Sequence, residues 1–262
     1  MAYHHGFQAS RYELKYIIDE SCAANVRDFV RSFLVPDEHA DPNRGNSYPV
    51  HSLYLDTPGL ALFRSTVDGL KNRFKLRIRF YDDDPRHPAF LEIKRRLTEV
   101  ICKERAAVTR EGARRLLEGK WLDPSYLMTG DKQGKAAAAV HNFCRTTHSI
   151  GAVGCVYVSY NREAYVSPDS DQVRVTFDRR LHAGNYRPVA CLVPPAVHTP
   201  VPIGGGRLVL ELKYTDRFPE WMREMVLAFN LVRVPMAKYC ACVQAVGYPW
   251  LSGLGTSLGV AS

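Results

Sequence analysis

The sequence predicts an α+β chain built on an antiparallel sheet or barrel. Two observations support this prediction: many short segments alternate apolar and polar residues as strands do, and segments with helical spacing lie between and after them. The composition, 46% hydrophobic and 24% charged, is ordinary for a globular protein and argues against disorder, collagen-like repeats and a coiled coil. At 262 residues, the chain can bury a core without disulfide or metal support.

The predicted elements are arranged with helices between groups of strands. Strands are expected at residues 11–18, 50–56, 72–81, 89–96, 100–109, 153–165, 173–178 and 207–214. Helices are expected at residues 19–34, 110–119, 135–148, 218–230 and 238–246. We expect one domain over residues 1–250, followed by a flexible glycine-rich tail at 251–262.

The charge balance predicts an anionic partner. Thirty-five Lys and Arg against 27 Asp and Glu give a net charge of +8. The seven cysteines are irregularly spaced, which argues against a disulfide framework, and Cys240-x-Cys242 has no second pair with which to bind zinc. We expect no signal peptide and no transmembrane segment, and therefore a cytoplasmic protein.

Charged residues repeat on one face of several predicted strands. The motif Glu-x-Lys occurs at Glu13, Glu92 and Glu211, each two residues before a lysine, and basic residues alternate from Lys75 to Arg79. One interpretation is a solvent-facing side of an ordinary sheet. The other is a barrel whose charged face points inward while helices cover the apolar face.

An inward-facing set of cations requires a polyanion, because unpaired buried like charges are very costly. Triphosphate or polyphosphate meets this need, since arginine offers forked donors and lysine offers point charges to phosphate oxygens. The few carboxylates on the same face then suit Mg²⁺ or Mn²⁺, which typically takes one or two protein carboxylates with phosphate oxygens and water.

A series of motifs in this order resembles a known family. The motifs are Arg11-Tyr-Glu-Leu-Lys-Tyr, Ser52-Leu-Tyr-Leu-Asp-Thr, Arg77-Ile-Arg-Phe-Tyr, Leu91-Glu-Ile-Lys, Lys103-Glu-Arg, Val173-Arg-Val-Thr-Phe-Asp, Leu210-Glu-Leu-Lys-Tyr and Ala237-Lys-Tyr. Together they resemble the VTC (vacuolar transporter chaperone) domain, the polyphosphate polymerase branch of the triphosphate tunnel metalloenzymes, which are also called CYTH-like proteins. The resemblance extends over about residues 10–247.

The resemblance implies a closed antiparallel barrel of about eight strands, open at both ends, with helices packed outside. It implies catalytic roles for Arg77, Arg79, Lys94 and Lys213. It implies that phosphate is bound by Lys15, Arg77, Arg79, Lys94, Lys103, Arg162, Arg174, Lys213 and Lys238. The family's metal-binding carboxylate matches Glu211, and Glu13 and Glu92 are the further candidates for Mn²⁺ or Mg²⁺.

The implied function is phosphoryl transfer from ATP or another triphosphate to a growing polyphosphate chain. A triphosphatase, with Glu13 or Glu92 orienting water, and a non-catalytic polyphosphate-binding module remain alternatives. Arg11 stands where hydrolytic members of the superfamily have the first Glu of Glu-x-Glu-x-Lys, and Pro235 and Ala237 also depart from the family pattern. Nucleic-acid binding is not expected, because no basic stripe is interleaved with aromatic residues. Docking on a membrane partner, the oligomeric state and the donor nucleotide stay open.

Overall fold

The computed structural model describes residues 11–98, 100–128, 134–170, 172–188, 192–196, 198–203 and 206–247. The strands are β1 (Arg11–Ile18), β2 (Val35–Pro36), β3 (Ser47–Asp56), β4 (Asn72–Phe80), β5 (Ala89–Leu97), β6 (Val100–Val108), β7 (Val153–Val166), β8 (Val173–Asn185), β9 (Thr199–Pro200) and β10 (Leu208–Thr215). The α-helices are α1 (Glu20–Val30), α2 (Ala61–Val67), α3 (Arg110–Leu117), α4 (Lys135–Ser149), α5 (Glu220–Ala228) and α6 (Lys238–Val246). The predicted tail at 251–262 lies outside the described residues.

All the strands belong to one antiparallel sheet. Eight longer strands pair in the order β1-β10-β8-β7-β3-β4-β5-β6, while the two-residue strands β2 and β9 pair with β7 and β8. This arrangement confirms the predicted α+β class with a large antiparallel sheet.

The predicted closure of the barrel is not confirmed. The sheet curls until Cα atoms of its edge strands β1 and β6 come within 8 Å, but no described ladder joins these two strands. Side chains bridge this region instead: Lys94 Nζ on β5 donates to Glu13 Oε2 on β1 at 2.5 Å. Charged side chains therefore lie where closure by backbone hydrogen bonds was expected.

The helices cover the apolar face of the sheet. In β4, Leu76, Ile78 and Phe80 are fully buried and belong to a core that includes residues of α3 and α4. A second core forms beneath α2 and α6, and a third beneath α1 and α5. Because side chains alternate along a strand, this packing directs the charged residues of β4 to the concave side of the sheet.

The boundaries of several elements differ from the predicted ones. Helix α1 begins after Asp19, whose side chain accepts a hydrogen bond from Cys22 N at 2.7 Å, but ends at Val30 rather than residue 34. Strand β8 continues to Asn185, seven residues beyond the prediction, and α2 was not predicted. Within the described part of the chain, no helix is both long and apolar enough to cross a bilayer.

Candidate functional site

The concave face of the sheet encloses a cavity of about 920 Å³. Residues from β1, β3, β4, β5, β6, β7, β8, β10 and α6 line it, so distant parts of the chain contribute to one site. The lining includes every basic residue predicted to bind phosphate: Lys15, Arg77, Arg79, Lys94, Lys103, Arg162, Arg174, Lys213 and Lys238. The basic residues that strand alternation places on one face therefore line one cavity.

Glu211, on β10, lies at the centre of a cluster of cations. Its carboxylate is 2.5 Å from Lys238 Nζ and 2.6 Å from Lys213 Nζ, with Arg162 and Lys15 at 3.6 and 3.7 Å. We call these five residues the Glu211 cluster. Burial alone would raise the pKa of Glu211, but Lys213, Lys238 and Lys15 outweigh it and hold that pKa well below its usual range. Glu211 is therefore ionised at neutral pH.

Glu13 is the second carboxylate at the cavity wall. It accepts a hydrogen bond from Lys94 and lies 3.3 Å from Lys15 Nζ, which also approaches Glu211. Burial opposes ionisation of Glu13, yet the neighbouring Lys94 and Lys15 lower its pKa well below the ordinary value. The two carboxylates thus share one lysine and both face the cavity.

Glu92, the third predicted metal ligand, is not among the residues that line the cavity. Its side chain is 0% exposed and lies behind Arg77, with which it pairs at 2.5 Å. Lys103 and Arg105 lie 3.1 and 3.4 Å from its other oxygen. Glu92 therefore holds three basic side chains in position, and its role as a metal ligand stays a prediction.

Asp178 is a buried carboxylate that was absent from the predicted site. Both of its oxygens accept from Arg162 at 2.7 Å, and Lys238 Nζ lies 2.5 Å away. Burial disfavours the charged form, but Arg162 and Lys238 lower the pKa of Asp178. It lies two residues after Thr176 on the inward face of β8, so strand alternation alone could have indicated it.

Two further arginines of the cavity, Arg174 and Arg79, are oriented by hydrogen bonds to polar side chains. Arg174 donates to Asp37 and to Tyr48 Oη, the latter at 3.0 Å. Arg79 donates to Ser52 Oγ at 3.2 Å and Tyr160 Oη at 3.3 Å. These neutral partners orient the Arg79 guanidinium without neutralising it, which leaves its charge available to an anion.

Two further cations, Lys75 and Arg105, line the cavity but were absent from the predicted phosphate-binding set. Both alternate with predicted residues on β4 and β6, and that spacing was the signal that could have included them. Burial lowers the pKa of Lys75 to about 8. No hydrogen bond or ion pair of Lys75 occurs among the described residues, so its amine faces the cavity without a carboxylate.

The site suits a metal that arrives with phosphate. Among the described residues, no group of three or more His, Cys, Asp or Glu side chains could hold a metal by itself. Glu211 and Glu13 both line the cavity and supply the one or two carboxylates that Mg²⁺ or Mn²⁺ takes when phosphates complete its coordination. The donor set therefore fits a metal–phosphate complex.

A family model described as the VTC domain matches residues 10–247. The chain belongs to the VTC domain family. This membership confirms the resemblance found in the motifs, and it covers all the strands and helices of the described structure.

Two solved structures are similar to this VTC domain at low identity. The PH1819 protein from Pyrococcus horikoshii OT3 is 12% identical with a TM-score of 0.45, covering 89% of this chain and 98% of that one. A putative adenylate cyclase from Vibrio parahaemolyticus is 11% identical with a TM-score of 0.44, covering 89% and 97%. No curated protein sequence is significantly similar to this VTC domain.

Proposed function

We propose that this VTC domain transfers phosphoryl groups from a nucleoside triphosphate to a growing polyphosphate chain inside the cavity. The observation that carries the proposal is the lining itself: eleven lysines and arginines line one cavity with five carboxylates, those of Glu13, Asp37, Glu38, Glu211 and Asp216. Such an excess of buried positive charge is costly unless an anion occupies the space. In this proposal the curled sheet is the tunnel, and side chains complete it between β1 and β6.

The cations have separable roles in the proposed reaction. Arg77 and Arg79 are two residues apart on β4, so their side chains project from the same face of the strand. They would bind the transferred phosphoryl group through their forked N–H donors. Lys94 and Lys213 would neutralise charge that spreads over its equatorial oxygens. The remainder of the donor and acceptor chains would be held by Lys15, Lys103, Arg162, Arg174 and Lys238.

No protein nucleophile is required. A terminal oxygen of the acceptor chain forms the new bond to the γ-phosphorus, and the bond from that phosphorus to the β–γ bridging oxygen breaks, releasing the nucleoside diphosphate. When bound, Mn²⁺ or Mg²⁺ would supply positive charge that offsets the negative charge developing on the phosphate oxygens. Glu211 and Glu13 are the residues that would hold it.

The test is to incubate the purified protein with ATP and Mn²⁺, resolve the products on a polyphosphate gel and measure free phosphate. The proposal expects long chains, made by the parent and by Lys120→Ala, an exposed residue that pairs with Glu118 outside the cavity. Lys213→Ala should make far fewer chains. Free phosphate without chains would indicate a triphosphatase instead, and neither product would indicate a binding module.

A further inference from the structure

Aromatic rings lie at one side of the cavity, beside its phosphate-binding residues. His39, Tyr48 and Tyr81 all line the cavity, and we call these three residues the aromatic rim. The His39 ring centroid lies 5.9 Å from that of Tyr48 and 6.2 Å from that of Tyr81. Tyr48 and Tyr81 are themselves 6.2 Å apart, so the three rings pack against one another edge to face or tilted, as one aromatic cluster.

The aromatic rim is tied directly to a predicted phosphate-binding arginine. Asp37 Oδ1 accepts from the backbone N–H of His39 at 2.8 Å, while its other oxygen accepts from Arg174. Arg174 also donates to Tyr48 Oη. An anion held by Arg174 would therefore have aromatic rings as its next neighbours.

Two side chains of the aromatic rim, His39 and Tyr81, are partly exposed to solvent at the cavity. The His39 side chain is 60% exposed and Tyr81 is half-buried. By contrast, Tyr54 and Tyr239 stack on each other at 4.7 Å and are both buried, so their faces are occupied. Arg105 donates to Tyr81 Oη at 3.4 Å, which holds the Tyr81 ring at the cavity edge.

We infer that His39 and Tyr81 form a nucleobase-binding subsite, which makes a nucleoside triphosphate a better ligand than inorganic tripolyphosphate. The inference rests on the proposed function, because it assumes that the cavity holds the triphosphate. A nucleoside adds a flat aromatic base to one end of the triphosphate, and any of the bases can stack on an aromatic side chain. Cations alone would not distinguish the two ligands by anything but charge.

The test is calorimetric titration with ATP and, separately, with inorganic tripolyphosphate, both in EDTA so that no turnover occurs. His39→Ala and Tyr81→Leu should each weaken ATP binding by about five-fold or more, because one stacking partner is lost. Tripolyphosphate affinity should not change in either variant. Trp121→Leu should bind both ligands like the parent, because Trp121 is an exposed aromatic residue that stacks on His148 and does not line the cavity.

Each result decides something. Equal losses for both ligands, or no loss for ATP, would overturn the base subsite while leaving the triphosphate site in place. A parent protein that binds neither ligand would overturn the proposed function itself. Should Tyr81→Leu lose its thermal transition, His39→Ala decides the matter, because its exposed side chain contributes little to the fold.

Discussion

Glu211 makes four ion pairs, with Lys15, Arg162, Lys213 and Lys238. It is therefore both a candidate metal ligand and the main counter-charge for its neighbours. Removing its charge has a different consequence in each role. A metal ligand is needed for transfer, whereas a counter-charge is needed for stability and competes with phosphate for the same lysines.

We predict that Glu211→Gln lowers phosphoryl transfer by orders of magnitude if Glu211 binds the metal. Binding of metal-free tripolyphosphate should stay the same or tighten, because one repelling charge is gone. Without ligand, the free energy of unfolding of this variant should be lower by about 3–5 kcal/mol, because four cations lose the carboxylate that they share. Calorimetry with and without Mn²⁺ and thermal unfolding measure these effects.

Lys213→Ala is the matched opposite change, because it removes a cation that contacts Glu211 at 2.6 Å. It should weaken metal-free tripolyphosphate binding. A Glu211→Gln protein that bound Mn²⁺–triphosphate and turned over like the parent would contradict the metal assignment. Glu13 would then be the next candidate, since it also faces the cavity.

Three cavity lysines predict a pH dependence. Burial lowers the pKa of Lys75 and of Lys213 to about 8 and that of Lys103 to about 7, so all three lose protons as pH rises through those values. A bound phosphate favours the charged amines and raises their pKa values. Tripolyphosphate affinity should therefore fall as pH rises from about 7 to above about 8, and binding in this range should take up protons.

Calorimetry in two buffers of different ionisation enthalpy measures this proton uptake. Lys75→Met removes a titrating amine while keeping an unbranched side chain, so it should take up fewer protons than the parent from the same ligand. Identical uptake by both proteins would show that Lys75 keeps its charge state on binding.

At the scale of elements, Asp56 joins α2 and α6 to the end of β3. Its carboxylate accepts from the backbone N–H groups of Thr57, Leu62 and Phe63 at 2.7 to 2.9 Å and from Tyr239 Oη at 2.5 Å. The first turn of α2 is thereby capped, and Tyr239 of α6 is held against Tyr54. Lys238 of the Glu211 cluster is the residue before Tyr239, so Asp56 positions it indirectly.

We predict that Asp56→Asn destabilises the protein by about 1–3 kcal/mol, because the amide turns an N–H donor toward groups that already donate. Tyr239→Phe should lower the free energy of unfolding by less, because Phe63 N still donates to the Asp56 oxygen that Tyr239 contacts. Urea unfolding of both variants measures the difference. Equal losses would mean that the Tyr239 bond, and not the cap, carries the stability.

Strand alternation explains how much of the site could be predicted. Spacing alone places Arg77 and Arg79 on one face of β4, and both residues do line the cavity. Glu92 has the same spacing but is covered by longer neighbours, which a one-dimensional pattern does not reveal. His39 and Asp37 come from a loop whose position depends on the pairing of β2 with β7, a contact distant in sequence.

Closure of the sheet is the clearest example of a feature that the sequence could not specify. The strand patterns predict eight strands, and eight longer strands form the sheet. Whether β1 and β6 pair depends on the accumulated twist and register of the whole sheet. The side chains of Glu13 and Lys94 meet there, although nothing local to either strand predicts it.

At the scale of the whole molecule, uncompensated charge in the cavity should make stability depend on ligand. A hundredfold excess of tripolyphosphate over its Kd should add about 2.7 kcal/mol, which corresponds to a rise in Tm of about 5–10 °C. High salt should reduce the rise by screening the cations. A differential scan at low and high salt checks both, and an unchanged Tm at low salt would argue against a polyanion site.

The most direct measurement is a crystal structure with tripolyphosphate and Mn²⁺. We predict phosphate density within the cavity, in hydrogen-bond contact with Arg77, Arg79 and Lys213, and a metal between the phosphates and Glu211. Phosphate bound only on the outer surface, or an empty cavity at saturating ligand, would contradict the proposed tunnel site.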